Sequence, residues 1–256
     1  MKLKLVLLFL GFTGLDCRAQ QQVAGLTATP NRPTVTNTAE TTQFGVLEIE
    51  LGIMSAAEQQ SLQGLLKFGL LRDVEVDWAG NPWQHDASVH YVGVGDTNLG
   101  LRWRFLHQAK WQPTLTVQYS AKLPTAGPVE GSGETDHIVT LLASKDLPKS
   151  FHVDANLGYA WLGRPGSGLD HTWLPTGTLA YSLTNKWQLA MEFSGSTRAN
   201  PITPAVTQNL WAVSYTLRSR LVLDSAVQFR VTGNVPQVAY LGGFTYSIID
   251  LYHRRR

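Results

Sequence analysis

Among 256 residues there is a single cysteine, Cys17, and only three methionines. No disulfide framework can therefore hold the fold together, and stability has to come from backbone pairing and burial. Charge is sparse, at 16% of residues, and nearly balanced, with 21 Lys and Arg against 19 Asp and Glu. Such a balance gives no field for gathering nucleic acid or an acidic partner. Long apolar runs are missing as well. Nothing approaches the roughly 18 consecutive apolar residues that a membrane-spanning helix needs, so a helical membrane protein is excluded. What the chain has instead is eight tryptophans, 23 glycines and a persistent alternation of apolar and polar residues.

The first residues read as a targeting segment. Lys2 and Lys4 form a basic start, Leu5 to Leu15 an apolar run, and Cys17-Arg18-Ala19 a small-x-small cleavage site. Residues 1–19 are thus expected to be a cleaved signal peptide, with the mature chain beginning at Gln20. A lipoprotein reading of Cys17 competes, although Asp16 occupies the place where a small residue is expected. Removing 1–19 takes Lys2, Lys4 and Arg18 against Asp16, so 21 versus 19 becomes 18 versus 18. The only cysteine leaves with it. Residues 20–42, rich in Thr, Pro, Asn and Gln without periodicity, read as an irregular periplasmic leader. Residues 43–252 read as one β domain and 253–256 as a basic tail.

The alternation is clearest from Phe151 to Trp161. Phe, Val, Ala, Leu, Tyr and Trp at odd positions face His, Asp, Asn, Gly and Ala at even ones, which is the mark of a two-faced strand. The eight steps from Phe151 to Tyr159 span roughly 20 Å along the axis of a barrel with tilted strands, close to the apolar band of an outer-membrane barrel between its aromatic girdles. Eleven further segments repeat the pattern: 47–53, 61–68, 74–78, 98–105, 114–123, 135–144, 176–183, 187–194, 211–217, 221–230 and 238–248. The second is the weakest, and 56–66 reads equally as a short helix. Connections alternate between short polar ones, such as Lys145–Ser150, and longer Gly/Pro-rich ones: 79–96, 124–134, 162–172 and 195–206. The expected fold is therefore all-β: a transmembrane up-and-down antiparallel barrel of about 12 strands with long extracellular loops and short periplasmic turns. The first strand has to pair with the last, because lipid cannot solvate an open sheet edge. That places Glu48 and Glu50 in the lumen beside Tyr240–Ser247.

Alternation alone fits a secreted soluble β protein too. Three features favour lipid. The polar face is mostly Thr, Ser, Gln, Asn, Ala and Gly, where a solvated exterior would be dense in Lys and Glu. Aromatics sit towards strand ends, as at a membrane interface. Twelve strands exceed the eight of small ligand-holding barrels.

Several stretches resemble an outer-membrane β-barrel transporter family labelled putative MetA pathway of phenol degradation. They are Gly93 to Arg104 (Gly-Val-Gly-Asp-Thr-Asn-Leu-Gly-Leu-Arg-Trp-Arg), Lys122 to Thr125, Gly131 to Asp136, Leu141 to Leu147 and Ala155 to Tyr159. Arg32-Pro33 with Gly45–Gly52 matches the family's amino-terminal region. The resemblance implies an outer-membrane location and passage of small solutes, aromatic or hydrophobic ones among them. It implies the lipid bilayer and the barrel-assembly machinery as partners. Such barrels usually end on an aromatic, whereas this chain continues past Tyr252 into His253 and three arginines.

The polar-face charges are the candidate pore-lining residues: Glu48, Glu50, Glu75, Asp77, Arg102, Arg104, Lys122, Asp154, Glu192, Asp224 and Arg230. Rings of charge select solutes in channels; equally, these groups could pair with one another and fill a narrow interior. Glu75 and Asp77 lie one strand from Arg102 and Arg104. Two loops carry His85, Asp86, His90 and Asp170-His171, but spacing this loose reads as solvated loop residues rather than a metal or catalytic site. Gly93-Val-Gly and Gly131-Ser-Gly precede no helix and are loop glycines, not phosphate cradles. A membrane-embedded hydrolase would need Ser and His together on the lipid face; His137 and Ser225 are strands apart. No cofactor, metal or enzymatic activity is expected. The function read from the sequence is a passive outer-membrane channel for small solutes, with a non-conducting structural or receptor barrel as the alternative.

Overall fold

The computed structural model describes residues 25–127, 133–164, 166 and 168–252. The expected signal peptide, the start of the Gly131–Asp136 stretch and the basic tail lie outside them. The described chain contains no helix. Its strands are β1 (Val46–Ala56), β2 (Gln59–Leu71), β3 (Val74–Asp86), β4 (Tyr91–Gly93), β5 (Thr97–Leu106), β6 (Thr114–Leu123) and β7 (Asp136–Leu147). They continue as β8 (Phe151–Gly163), β9 (Leu169–Ser182), β10 (Trp187–Ser196), β11 (Val206–Arg218), β12 (Leu221–Thr232) and β13 (Val238–Asp250). Successive strands pair antiparallel, save that β5 pairs with β3 and not with β4, and β1 pairs with β13. The sheet is thus a closed barrel of twelve staves, because β4 is a short addition that pairs only with β3.

The closing seam has the expected facing: Glu48 lies opposite Ser247 and Glu50 opposite Thr245. Alternation settles which face is which. Leu99, Leu101, Trp103 and Phe105 of β5 are exposed while Arg102 between them is buried. Leu157, Trp173, Leu179, Leu189 and Phe193 extend that exposed apolar surface around the barrel. Aromatics bound it near the periplasmic rim, where Phe151 meets Tyr181 at 4.8 Å and Trp187 meets Tyr215 at 4.6 Å. At the other rim Tyr159 packs on Trp161 and Trp173, each at 4.8 Å.

The strands run further than the alternation suggested. The segment 59–71 is strand throughout, so the helical reading of 56–66 is not what forms. Half of the expected loop 79–96 is the upper part of β3, and much of 162–172 is the ends of β8 and β9. These parts carry Asn, Pro, Gln, His and Asp, which is why the apolar alternation stops before the hydrogen-bonded ladder does. In β3 the ladder is irregular where Pro82 lacks an N–H: register shifts between Leu62 and Gly64 of β2. There β3 leaves β5, after Gly80 opposite Thr97, and takes β4 as its partner. Gly64 and Gly80 face each other at this point, and a hollow of about 400 Å³ lined by Ile49, Leu51, Leu66, Trp78 and Pro82 opens in the outer wall.

The last described residue closes the periplasmic end of the seam. Tyr252 packs on Phe44 at 4.8 Å and Phe68 at 5.7 Å, crossing β1 to reach β2. Gly45, with φ +80°, makes room: a Cβ there would come within 2.7 Å of the Tyr252 ring.

Candidate functional site

The inner wall is polar and deeply buried. Glu48, Glu50, Lys67, Glu75, Arg102 and Glu192 are each 0–1% exposed. Burial of so many ionic groups demands partners, since an uncompensated buried charge costs several kcal/mol. Some compensation is across strands. Lys67 Nζ lies 2.6 Å from both Glu48 and Glu50. Arg102, opposite Glu75 in register, pairs with it at 2.8 Å.

The remainder comes from the leader, which was expected on the periplasmic side and whose described part instead runs inside the barrel. It is irregular, as its composition implies, because its main-chain donors are spent on wall side chains rather than on a ladder. Thr29 N donates to Glu48 at 3.0 Å and Asn31 N to Glu50 at 2.9 Å. Arg32 donates to Asp224 on β12 and to Gln63 on β2. Val35 N and Thr36 N both donate to Glu192 on β10, at 3.1 and 2.6 Å. Ala39 N donates to Ser144 Oγ on β7 at 2.6 Å, and Thr116 of β6 donates to the Ala39 carbonyl. Arg102 and Arg104 of β5 reach the Thr38 carbonyl and the Glu40 carboxylate. Thr42 N ends the series on Glu75 of β3. Apart from the links of Thr29 and Arg32 to β2, the contacts visit β1, β12, β10, β7, β6, β5 and β3, which follows the order of strands around the wall.

The leader therefore makes one circuit of the lumen. Residues 29–42 in extended form reach about 45–50 Å, the circumference of a circle of roughly 7 Å radius. A single turn against the wall fits that length. Thr36, Ala39 and Thr42 are buried against the wall, while Val35 is 53% exposed. Beside the leader lies a cavity of about 850 Å³, bounded by Thr34 and Thr36 on one side and by Asp154, Thr178, Gln188 and Ser214 of β8–β11 on the other. Its wall is floored by Ala180 and Ala190, which stand in register with Ala212 and Ala226 across four strands. Small side chains there leave space that longer ones would fill.

Of the sequence candidates, Glu48, Glu50, Glu75, Asp77, Arg102, Glu192 and Asp224 are buried on the inner wall. Arg104 bridges Glu40 and Asp73 at the periplasmic end. Asp154 accepts from Ser144 at 2.5 Å and faces His152 at 3.0 Å, while His152 also meets Asp146 at 2.7 Å. Lys122 lies between Asp96 at 3.2 Å and Asp136 at 2.9 Å, tying loops at the extracellular rim. Arg230 is exposed there and holds the Val235 carbonyl. Glu40, in the unpatterned leader, escaped the sequence reading without a signal. The cations Lys67 and Arg32 escaped it as well. Their signal was arithmetic: seven acids among the eleven candidates faced only four cations, so donors had to come from elsewhere.

The loop histidines do not converge. Asp86 is held by Gln59 and Ser88, Asp170 by Arg164 and Asn200, and His171 stacks on Tyr159. Among the described residues no group of three or more His, Cys, Asp and Glu is placed to hold a metal ion. His137 bonds Tyr119 Oη at 2.7 Å on β6–β7, and Ser225 bonds the Leu241 carbonyl on β12–β13, so the two never meet.

A family model described as "Putative MetA-pathway of phenol degradation" matches residues 30–248. The chain belongs to this family. The match begins within the lumen-threading leader and ends in the closing strand, so leader and barrel fall under one family pattern. Among solved structures, the chain is similar to an outer membrane channel from Pseudomonas putida F1, with a TM-score of 0.67 and 11% identity over 84% of this chain and 100% of that one. It is similar to the NanC porin, at TM-score 0.60 and 12% identity over 79% and 100%. The KdgM porin follows at TM-score 0.59 and 10% identity over 79% and 99%. No curated protein matches by sequence. The likeness fixes the fold as that of bacterial outer-membrane barrels, in keeping with the apolar outer belt.

Proposed function

We propose that the protein is a passive outer-membrane channel for small solutes, aromatic or hydrophobic ones among them, whose bore is narrowed by its own leader. The observation that carries this reading is the open vestibule of about 850 Å³ at the periplasmic end, between the leader, the inner faces of β8–β11 and the turns that carry Arg72 and Ser150. A chain that circles the wall leaves room beside itself, whereas a plug crossing the axis would not. Glu48, Glu50, Glu75, Arg102, Glu192 and Asp224 then act chiefly by holding the leader; Asp154 and Arg104, near the cavity, are the ones in a position to set the field a solute meets. The neighbours described as a channel and as porins, and the family's association with phenol breakdown, support the same reading. No catalytic residue is required, and the partners are lipid, solute and the machinery that assembles barrels.

Single-channel current from the refolded chain in a planar bilayer tests it, with small phenolics then added to the bath. Discrete steps that a phenolic blocks are the expected result. Folded, inserted protein without conductance, alone and after deletion of residues 25–42, would refute the channel. A non-conducting structural barrel is the second reading. It is favoured by the burial of Thr36, Ala39 and Thr42 between leader and wall, and silence from both forms is what it expects.

A further inference from the structure

Five connections lie at the rim that also holds both described termini: 72–73, 107–113, 148–150, 183–186 and 219–220. Each carries or adjoins an exposed cation, namely Arg72, Lys110, Lys149, Lys186 and Arg218. Asp73 is the only acid within the five, and it is occupied by Arg104 and His107; the adjoining Asp146 is taken up by His152 and Gln108. The opposite rim has mixed signs, with Glu58, Asp96 and Glu134 beside Arg164 and Arg198. A cation on every turn of one rim, spaced around the barrel, is complementary to a plane of phosphates rather than to one compact anion.

The turn 107–113 is the longest of the five and the most strongly built. Lys145 donates to the carbonyls of Ala109, Lys110 and Gln112. Gln108 and Asp146 exchange two hydrogen bonds, at 3.0 and 2.7 Å. Lys145 lies opposite Val153 and shares its face with the exposed Leu141 and Leu147, so it draws the tip of the turn towards the lipid perimeter. The tip presents Trp111, 87% exposed, with the Lys110 ammonium 5.4 Å from its ring. A rigid turn holding Trp beside Lys at a barrel perimeter has the chemistry of the interfacial layer, where an indole lies among headgroups and an ammonium meets phosphate.

We propose that this rim is a phosphate-binding collar that docks on the phospholipid headgroups of the periplasmic leaflet, with Trp111 as its anchor and Lys110, Lys149, Lys186 and Arg218 as its charges. Continuity decides the occupant. The collar lies directly below the lipid-facing girdle of Trp103, Phe105, Phe151 and Tyr181, and Arg220 already sits over the girdle residue Tyr246 at 5.2 Å.

The test refolds the full chain into phosphatidylcholine vesicles doped with spin-labelled phosphatidylglycerol or, in parallel, spin-labelled phosphatidylcholine. The readout is the fraction of each label held at the protein. About fivefold enrichment of phosphatidylglycerol is expected for each engaged cation. It should fall towards unity in Lys110→Gln/Lys149→Gln/Lys186→Gln, and in wild type at about 1 M salt. Equal association of both labels in wild type, or enrichment that survives high salt, overturns the proposal. The salt arm decides even where the triple variant fails to fold. The difference emission between wild type and Trp111→Phe should be quenched by lipids brominated near the headgroup. Quenching by aqueous iodide alone would overturn the lipid assignment in favour of a periplasmic protein.

Discussion

Gly52 and Gly243 face each other across the closing seam, and the guanidinium of Arg32 lies over both. A Cβ at Gly52 would come within 2.0 Å of an Arg32 nitrogen, so Gly52→Ala has to expel the guanidinium from its place. Arg32 would lose two hydrogen bonds of 3.4 Å to Asp224 and one of 3.1 Å to Gln63. Hydrogen bonds involving a charged group contribute about 1.5–3 kcal/mol each at good geometry. Because two of these are long, a combined loss of about 2–3 kcal/mol is a reasonable expectation, taken almost entirely from leader docking and not from the barrel. Each 1.4 kcal/mol is tenfold in an equilibrium, so the undocked leader should become roughly 30- to 150-fold more populated. Single-channel recordings would show this as longer or more frequent wide openings. Protease access to the leader gives an independent measure. Gly242→Ala, on the opposite face with its nearest contact at 3.7 Å, is the control. Unchanged recordings and unchanged proteolysis in Gly52→Ala, with Arg32→Ala equally silent, would refute the idea that this residue pair holds the leader.

Three further substitutions probe the wall, the ion cluster and the seam. Leu157→Arg places a charge on the lipid face and should cost about 2–4 kcal/mol in urea unfolding from vesicles, while Gln188→Arg, which looks into the cavity, should fold normally; equal cost at both sites would overturn the facing. Asn156 faces inwards but is buried opposite Leu142, so it is not a neutral site for a long cation as alternation alone would suggest. Lys67→Met leaves Glu48 and Glu50 without their shared cation and should destabilise by about 3–5 kcal/mol, read as a lower urea midpoint; a loss under 1 kcal/mol would mean that leader donors suffice. Tyr252→Ala removes a half-exposed ring from Phe44 and Phe68 and should cost about 1–3 kcal/mol, seen as loss of the compact band in unheated electrophoresis at lower temperature.

The barrel was legible because lipid enforces a period of two on every stave: Leu99, Leu101, Trp103 and Phe105 could be placed outside from spacing alone. Closure was legible for the same reason, since an open edge has no solvent in a bilayer. Strand ends were not. Beyond the apolar band, Gln84 and His85 pair as regularly as Trp78 does, but nothing in their side chains must alternate. The inward face reads as mostly polar, with 135–144 apolar on both faces; Leu142 in that strand and Leu210 on β11 are the fully buried leucines of the inner wall. An inner face has no uniform solvent, so its pattern follows whatever fills it. Tyr252 illustrates a different gap. Its position near the end of the chain was plain, whereas its packing across β1 onto β2 depends on the absence of a side chain at Gly45.

The leader was illegible for a physical reason that also explains what it does. A segment whose N–H groups are satisfied by carboxylates has no partner strand and no face to bury, so neither period can mark it. What marks it is the wall: Glu192 is fully buried with no cation beside it among the described residues, accepting from Val35 N, Thr36 N and the Thr178 hydroxyl. Without the leader that carboxylate, like Glu48, Glu50 and Asp224, loses main-chain or guanidinium donors and must regain water or a proton. The docked leader is therefore part of the barrel's electrostatic balance, and its release is possible only as fast as water enters the space it leaves. A leader tied to successive staves in their order around the wall can peel from one end, exchanging one set of hydrogen bonds at a time for water. Lifting off whole would expose every carboxylate at once. Stepwise peeling keeps each step within a few kcal/mol.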